Sequence, residues 1–450
     1  MKLSAAFNVQ QGDVVAFVGA GGKTSALVAL GHELAGAGLR VLATTTTRIA
    51  EAQLALMPRA MRPQTQAALT DALNQHGFVF VYDEIAAGKV YGPSPTIVSW
   101  LLDSMDADVL LIEADGARGL PFKAPYAYEP VIPPETSLVV PVVSLTALGQ
   151  PLDEQHIYNP EAMIERYGFY YGSPVKSPWI AQVLRDETLG LKGIPERARA
   201  VALVNATPPS GYLRGRARLI ARLALRSPRL SGVAMGDTSL LDPVHEVQRP
   251  IGAIVLAAGM SRRMGEPKVL LPWTNGRTII EHILEQLIMA RIDHIVAVTG
   301  NQAEQVGALA EKLDVQTIYN PDFATAEMLS SLKAGLRAMP DHIGAALVVL
   351  GDQPSIQPRI VNQVIQRYAE GAGEIVAPSY NMRRGHPILI DRRYWREILA
   401  LPDDGAPRDV INAHADRIAY VEVDTDSVLR DVDTPEEYRE ARNRLRPDKP

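Results

Sequence analysis

The sequence predicts two α/β domains, each built on a parallel sheet covered by helices. A chain of 450 residues is too long for one ordinary core. Two segments, 14–24 and 252–265, each combine a short apolar run, a glycine-containing loop and a helix-compatible stretch. Between and after them, apolar runs alternate with amphipathic stretches. We place the domains at residues 1–245 and 246–450, with a link near Asp242 to Pro250.

The regular elements follow from the period of the apolar residues. Runs that are wholly or mostly apolar predict strands buried on both faces of a parallel sheet. They are residues 41–43, 109–112, 201–204, 295–298, 317–319, 346–350 and 374–376. Amphipathic stretches predict helices between the strands, at residues 26–37, 281–290, 328–339 and 360–368.

Composition narrows the class of protein. Apolar residues make up 47% and charged residues 21%, as in an average globular protein. The net charge of −6 argues against a nucleic-acid or anionic-membrane surface. The chain has no cysteine, which excludes disulfides and thiolate chemistry. It has no run of eighteen apolar residues and no leader at its start, so we expect a cytoplasmic protein.

The C-terminal half contains a loop suited to phosphate. The loop follows an apolar run and is rich in small residues, which let phosphates approach backbone N–H groups. Arg262, Arg263 and Lys268 add cationic donors. An ordinary strand-to-helix turn with solvated basic residues is the alternative.

Carboxylates follow at two later positions. Asp352 comes directly after a buried strand and a glycine, where a magnesium ligand facing a phosphate would lie. Asp431 and Asp433 alternate on an extended segment, so either or both would complete the metal site. The segment also reads as a helix N-terminus, with Asp433 or Thr434 as cap and Pro435 in the first turn.

These pieces together resemble the MobA-like nucleotidyltransferase family, which has a Rossmann-like fold, and within it the molybdenum cofactor cytidylyltransferases. The resemblance covers nearly all of residues 251–445. It depends on the motifs LAAGMSRRMGEPK, LLPW, NPDF, SSLKAGL, GDQP, GHPILI and DVDTPEEY, all in register.

The resemblance implies transfer of CMP from CTP to molybdopterin cofactor, with pyrophosphate as the second product. The implied catalytic residues are Arg262, Lys268, Asp352 and Asp433. The implied nucleotide-binding residues are Leu256, Ala257, Ala258, Gly259, Ser261, Arg262, Arg263, Lys268, Ser331 and Asp352. Mg²⁺ would be held by Asp352 and Asp433, with or without Asp431, and the acceptor by Gly385, His386 and Pro387. His386 also reads as a structural histidine. In this family LAAG rather than LAGG accompanies CTP over GTP, and Ala258 occupies that position.

The N-terminal half has a second, different glycine loop. The loop from Gly19 to Thr24 is similar to the short Gly-x-x-Gly-Lys-Thr phosphate loop of Mur-type ligases. Gly19, Gly21, Gly22 and the backbone would cradle phosphates, Lys23 would neutralise them and Thr24 would ligate Mg²⁺. A structural turn is the alternative.

Two more segments fit a triphosphate site in this half. Thr46 lies in a threonine run that ends a strand, and Glu113 and Asp115 end another, as in a Walker B element. In the plainer interpretation, the threonines hydrogen-bond along a sheet edge, and Glu113 and Asp115 are a capping pair. The motifs VGAGGKTS, TTTTR and EADGARGLPFKAP resemble the YqeC-like family of selenium-dependent hydroxylase accessory proteins over residues 14–235. That resemblance implies nucleotide binding, with ATP as the candidate, and a role in maturation.

Joined, the two halves predict a fusion enzyme for maturing molybdenum hydroxylases, since a fusion raises the effective concentration of a shared intermediate. Its partners would be small-molecule substrates and a molybdenum hydroxylase or its chaperone, with no nucleic acid or membrane. Two alternatives stay open: a nucleotidylyltransferase that uses GTP or a sugar-phosphate acceptor, and a nucleotide-regulated carrier of molybdenum cofactor.

Overall fold

The computed structural model describes residues 1–62, 65–94, 98, 101, 107–324 and 328–444. The chain divides into two compact units, Met1–Gln248 and Arg249–Pro450. Each unit has a central sheet with helices packed on it, which confirms the predicted two-domain α/β class. In the part of the chain that is described, no helix combines the length and the apolar character needed to cross a bilayer.

The N-terminal unit contains twelve strands among its described residues. They are β1 Val14–Gly19, β2 Val41–Thr45, β3 Arg48–Ala50, β4 Ala60–Met61, β5 Phe78–Val81, β6 Glu84–Ala86, β7 Lys89–Tyr91, β8 Val109–Glu113, β9 Leu138–Ser144, β10 Arg199–Asn205, β11 Gly232–Gly236 and β12 Val244–Gln248. The helices are α1 Leu3–Phe7, α2 Lys23–Gly36, α3 Gln66–His76, α4 Pro160–Tyr167, α5 Ser177–Leu184 and α6 Gly211–Ala224.

Nine of these strands form one sheet, in the order β12-β11-β10-β9-β1-β8-β2-β5-β4. All neighbours run parallel except β11 and β12. The glycine-loop strand β1 lies between β9 and β8, so its carboxyl end lies beside the carboxyl end of β8. This edge is where parallel α/β sheets bind ligands.

Strand β1 is apolar throughout because helices cover both of its faces. Val15 and Phe17 pack in one core with Leu27 and Leu30 of α2. Alternate residues such as Ala16 pack in a second core on the opposite face. Because successive side chains of a strand point to opposite faces, β1 contributes residues to both cores.

A small second sheet was not expected from the sequence. Strands β3, β7 and β6 form it, and their neighbours run antiparallel. Its strands have three residues each, which is too short for a periodic signal in the sequence.

The C-terminal unit has eight strands among its described residues. They are β13 Ile251–Ala257, β14 His294–Thr299, β15 Gln316–Tyr319, β16 Ala345–Leu350, β17 Ile375–Tyr380, β18 Arg383–Arg384, β19 Ile388–Asp391 and β20 Ile418–Glu422. The helices are α7 Ile279–Met289, α8 Ala303–Glu311, α9 Met328–Ala338, α10 Pro358–Ala369, α11 Trp395–Ala400, α12 Pro407–Ala413 and α13 Pro435–Arg444.

The sheet of this unit is mixed, which corrects the expectation of a wholly parallel one. Its order is β15-β14-β13-β16-β19-β17-β18, with β20 paired to β17. Strands β13 to β16 are parallel, but β19 runs antiparallel to both β16 and β17. The connection from β17 to β19 is too short for a helical crossover, so the chain returns as a hairpin. Helices α7 and α9 contribute to two separate cores that share strand β13.

Candidate nucleotide sites

The C-terminal loop leaves the carboxyl end of β13. Ser261 in this loop has a φ of +51°, the left-handed region that a residue with a side chain rarely adopts. Its hydroxyl oxygen accepts a hydrogen bond from the backbone N–H of Lys268, at 3.0 Å. A short 3₁₀ turn then begins at Lys268. The loop is thus closed on itself, and this closure fixes where the Lys268 side chain starts.

Two carboxylates converge on the Lys268 ammonium group. Asp352 follows β16 and lies with Oδ2 2.6 Å from the Nζ atom. Asp433 precedes α13 and lies with Oδ1 2.9 Å from the same Nζ. The other oxygen of Asp433 accepts a hydrogen bond from Arg263, at 2.9 Å. A residue that follows β16 and a residue that precedes α13 therefore meet at one cation, although they are distant in sequence.

The pKa values reflect this arrangement. Burial acts to lower the pKa of Lys268, but the charges of Asp352 and Asp433 outweigh it and raise the pKa above its ordinary value. The hydrogen bond from Lys268 lowers the pKa of Asp433. The positive charge of Lys268 and the negative charge of Asp433 therefore stabilise each other, and both groups stay ionised near neutral pH.

Of the three carboxylates predicted to bind metal, the structure brings two together. Asp431 instead accepts a hydrogen bond from the Gln353 amide at 2.7 Å, and burial raises its pKa. Among the described residues, no group of three or more histidine, aspartate or glutamate side chains is arranged around one metal position. Two carboxylates that already share a cation do fit Mg²⁺, which takes one or two protein carboxylates and completes its shell with phosphate and water.

The loop and both carboxylates line one cavity of about 590 Å³. Of the predicted nucleotide-binding residues all but one line it; Ala257 is buried beneath the loop instead. The sequence analysis missed an apolar wall of the same cavity. Its members are Met260, Phe323, Ala324, Met328 and Leu350. Apolar residues with no distinctive spacing carried no signal for this role.

Ser331 lies in the first turn of α9 with only 6% of its surface exposed. The Asn320 amide nitrogen lies 2.9 Å from the hydroxyls of both Ser330 and Ser331 and donates to them. Asn320 is itself 2% exposed. The Asn320 amide therefore fixes the position of the Ser331 hydroxyl in the lining of the cavity.

The predicted acceptor residues do not line that cavity. His386 and Pro387 line a small neighbouring pocket together with Gln353 and Leu350, while Gly385 packs closely against Val428. Burial lowers the pKa of His386 to about 4, although the charge of Asp352 acts in the opposite direction. His386 is therefore a neutral imidazole close to the Asp352 carboxylate.

The N-terminal loop joins the end of β1 to the start of α2. Gly22 has a φ of +127°, and a Cβ there would lie 2.1 Å from the Asn205 amide nitrogen, so only glycine fits. Lys23 donates to the Gly19 carbonyl at 2.6 Å, and Thr24 donates to Glu113 at 2.6 Å. No side chain caps the first turn of α2, which leaves its N–H groups directed at the loop.

Behind the loop lies a buried ionic cluster. Lys23 forms an ion pair with Asp115 at 3.0 Å, and Lys123 contacts Asp115 at 3.1 Å and Glu129 at 2.9 Å. Burial acts to lower the pKa of Lys23, but Asp115 and Glu113 raise it overall; burial raises the pKa of Glu113. The sequence analysis gave no role to Lys123 or Glu129, although Lys123 is the lysine of the motif EADGARGLPFKAP.

The N-terminal loop opens into a cavity of about 1100 Å³. Gly21, Gly22, Lys23, Thr24 and Glu113 line it, as the sequence analysis expects. Three other predicted residues are not among its described lining. Gly19 and Asp115 are hydrogen-bonded to each other behind the loop, and the Thr46 hydroxyl donates to the Val131 carbonyl. Thr47 lines the cavity in place of Thr46.

Comparison with known proteins gives the class of each unit. Residues 15–161 match the YqeC protein family, and residues 253–418 match the MobA-like NTP transferase domain. The chain therefore belongs to the YqeC family through its N-terminal unit and to the MobA-like NTP transferase family through its C-terminal unit.

Three relatives illustrate the match. YqeC of Escherichia coli (strain K12) is 31% identical over 201 residues, 43% of this chain and 75% of that protein. Molybdenum cofactor cytidylyltransferase of the same organism is 29% identical over 196 residues, 43% of this chain and 96% of that protein. Nicotine blue oxidoreductase of Paenarthrobacter nicotinovorans is 30% identical over 217 residues, 46% of this chain and 99% of that protein.

Proposed function

We propose that the C-terminal unit transfers CMP from CTP to molybdopterin cofactor and releases pyrophosphate. One observation carries the proposal: Asp352 and Asp433 converge on Lys268 in a cavity that Arg262 and Arg263 also line. Cations suit a triphosphate, and paired carboxylates suit the divalent cation that accompanies it. The E. coli cytidylyltransferase relative supports the choice of cytidine and of molybdenum cofactor.

The reaction needs no covalent intermediate. A phosphate oxygen of the acceptor attacks the α-phosphorus of CTP, and the bond from that phosphorus to the α,β-bridging oxygen breaks. The electron pair leaves with pyrophosphate. Arg262, Arg263 and Lys268 would neutralise charge on the triphosphate, and the loop N–H groups would orient it. An acceptor phosphate is mostly ionised near neutral pH, so no strong general base is required.

Asp352 and Asp433 would hold Mg²⁺. When bound, Mg²⁺ supplies Lewis-acid charge neutralisation at the phosphate oxygens. Lys268 occupies the space between the two carboxylates, so we propose that its ammonium group turns from them to the triphosphate when nucleotide binds. The neutral His386 near Asp352 would then lie on the acceptor side, where it can donate or accept a hydrogen bond.

A relative of similar identity is named as an oxidoreductase, so family membership alone leaves the reaction open. The described residues of the C-terminal cavity favour nucleotidyl transfer. Three cations beside two carboxylates are the groups that a triphosphate and its metal require, whereas hydride transfer by itself requires neither.

For the N-terminal unit we propose nucleoside triphosphate binding, with ATP as the candidate. Lys23 and the uncapped N-terminus of α2 would bind phosphates, while Thr24 and Glu113, which share a hydrogen bond, would hold Mg²⁺. Together the two units would serve the maturation of a molybdenum hydroxylase, the proposed protein partner.

Pyrophosphate release tests the transferase proposal. Purified protein is incubated with Mg²⁺, molybdopterin cofactor and each of the four common nucleoside triphosphates. We expect release with CTP alone and its loss in Asp352→Ala, while Asp341→Ala, a fully exposed aspartate of the same unit, serves as the matched control. Release with GTP would overturn the choice of base. Release with a sugar phosphate as acceptor would overturn the choice of acceptor. No release under any condition would favour the carrier alternative.

A further inference from the structure

The N-terminal cavity is larger than a single phosphate loop explains. Its volume is about 1100 Å³, above the range of about 300–1,000 Å³ that is usual for a small-molecule site, and nearly twice the C-terminal cavity of about 590 Å³. The glycine loop and the start of α2 form one part of its lining. Strands β3 and β7 of the small sheet form another part, and the nucleotide motif does not account for it.

The register of the small sheet places Arg48 and Lys89 at the wall of the cavity. Arg48 lies opposite Tyr91 and Ala50 lies opposite Lys89. Residues directly opposite in an antiparallel pair share a face, as do alternate residues of one strand. Arg48, Ala50, Lys89 and Tyr91 are therefore on one face, and all four line the cavity. The intervening residues are buried, Ile49 at 3% exposure and Val90 at 0%, which anchors the sheet in this orientation, although Ile49 also lines part of the cavity.

The cations of the cavity differ in how they are neutralised. Lys23, next to the glycine loop, already has Asp115 as its counter-ion. Arg48 and Lys89 are exposed side chains, and no described residue forms an ion pair with either. Arg118 also lines the cavity and lies over the Tyr158 ring at 5.6 Å, again without a carboxylate partner among the described residues. Cations at a cavity wall that form no ion pair with a described residue suit an anionic ligand.

We infer that the wall formed by Arg48, Lys89 and Arg118 binds a second ligand, a small molecule with a phosphate group, beside the nucleotide on the glycine loop. Arginine and lysine together suit phosphate, through bidentate hydrogen bonds from the first and a point charge from the second. Tyr91 and Tyr158 add aromatic surface for the body of such a molecule. The N-terminal unit is then a two-substrate site. This inference rests on the proposed nucleotide binding at Lys23 and Thr24.

Calorimetric titration with glycerol 3-phosphate, a minimal phosphate monoester, tests the inference. The full-length protein is first saturated with Mg²⁺ and a non-hydrolysable ATP analogue, so that the glycine loop is occupied. We expect the double variant Arg48→Ala/Lys89→Ala to weaken glycerol 3-phosphate binding at least about tenfold, because two charge-assisted contacts are lost. Affinity for the ATP analogue should change by less than about threefold, which is well under 1 kcal/mol.

The matched control is Lys2→Ala/Arg62→Ala, which removes two exposed cations of the same unit outside the described lining of the cavity. Equal glycerol 3-phosphate affinity in the test variant, the control and the wild type would overturn the inference. Weaker nucleotide binding with unchanged glycerol 3-phosphate binding would also overturn it, and would assign the two cations to the nucleotide. Lys23→Ala separates the two proposals. If it leaves nucleotide affinity unchanged, nucleotide binding at the loop fails, whatever the effect of Arg48 and Lys89. Thermal unfolding of each variant verifies that the fold is retained.

Discussion

Replacing Lys268 with methionine should make the nucleotide-free protein bind a divalent cation more tightly. The Lys268 ammonium contacts Asp352 at 2.6 Å and Asp433 at 2.9 Å, so an incoming metal must first displace it. A hydrogen bond between charged groups contributes about 1.5–3 kcal/mol. The lower end applies here, because the aspartate side chains are 25% and 29% exposed. Two contacts give about 3 kcal/mol, or about 100-fold in Kd.

The assay is the loss of the free Mn²⁺ signal in electron paramagnetic resonance, with Mg²⁺ as competitor. Lys312→Met, which removes an exposed lysine of the same unit, is the matched control and should leave Mn²⁺ affinity unchanged. In Lys268→Met, pyrophosphate release should fall by about 10²- to 10³-fold even as metal affinity rises, because a cation on the triphosphate is lost. Opposite directions for binding and turnover distinguish this outcome from unfolding, which weakens both. Unchanged or weaker Mn²⁺ binding in the variant would refute the view that Lys268 and the metal share one site.

Three predictions concern stability, each measured by urea denaturation. Gly351→Ala should lower the free energy of unfolding by about 1–3 kcal/mol, because a Cβ would lie 2.6 Å from the Leu256 carbonyl oxygen. An unchanged free energy of unfolding would mean that the strand ends can move apart. Gly215→Ala, inside α6 with nothing within 4 Å of the new Cβ, should instead stabilise by about 0.5–1 kcal/mol. Asp186→Asn should cost about 2 kcal/mol at pH 7. Burial acts to raise the pKa of Asp186, but hydrogen bonds, the strongest from Thr188, lower it from 3.8 to about 2. Because the folded pKa is depressed, this stability is present above pH 3.8 and is lost as the pH falls towards 2. The difference between variant and wild type should therefore shrink below about pH 4, and a constant difference would contradict the assignment.

The sequence predicted the position of a residue well where a motif directly follows a strand. The two glycine loops and Asp352 each follow directly after a strand, so they depend on local order along the chain, and local order is what a sequence displays. The class of fold could be predicted for the same reason, because apolar runs and amphipathic stretches have distinct periods.

The sequence was a poor guide where a contact depends on long-range pairing. Lys123 and Glu129 enter the N-terminal cluster through loop geometry, and Arg48 and Lys89 reach the cavity through strands of three residues. Asp431 resembles Asp433 in sequence, yet Gln353 engages it instead. In each case three-dimensional packing determines which residue a side chain contacts. Such long-range packing produces no periodic pattern in the sequence.

The reversed direction of β19 has an evolutionary consequence. Because β19 runs against β16, the segment that enters β19 lies at the same sheet edge as the end of β16 that carries Asp352. Substitution or insertion in the hairpin before His386 can therefore remodel one side of the site while the parallel strands keep the phosphate side unchanged. Under the proposed function, a lineage could therefore change its acceptor without altering the loop that holds the nucleotide.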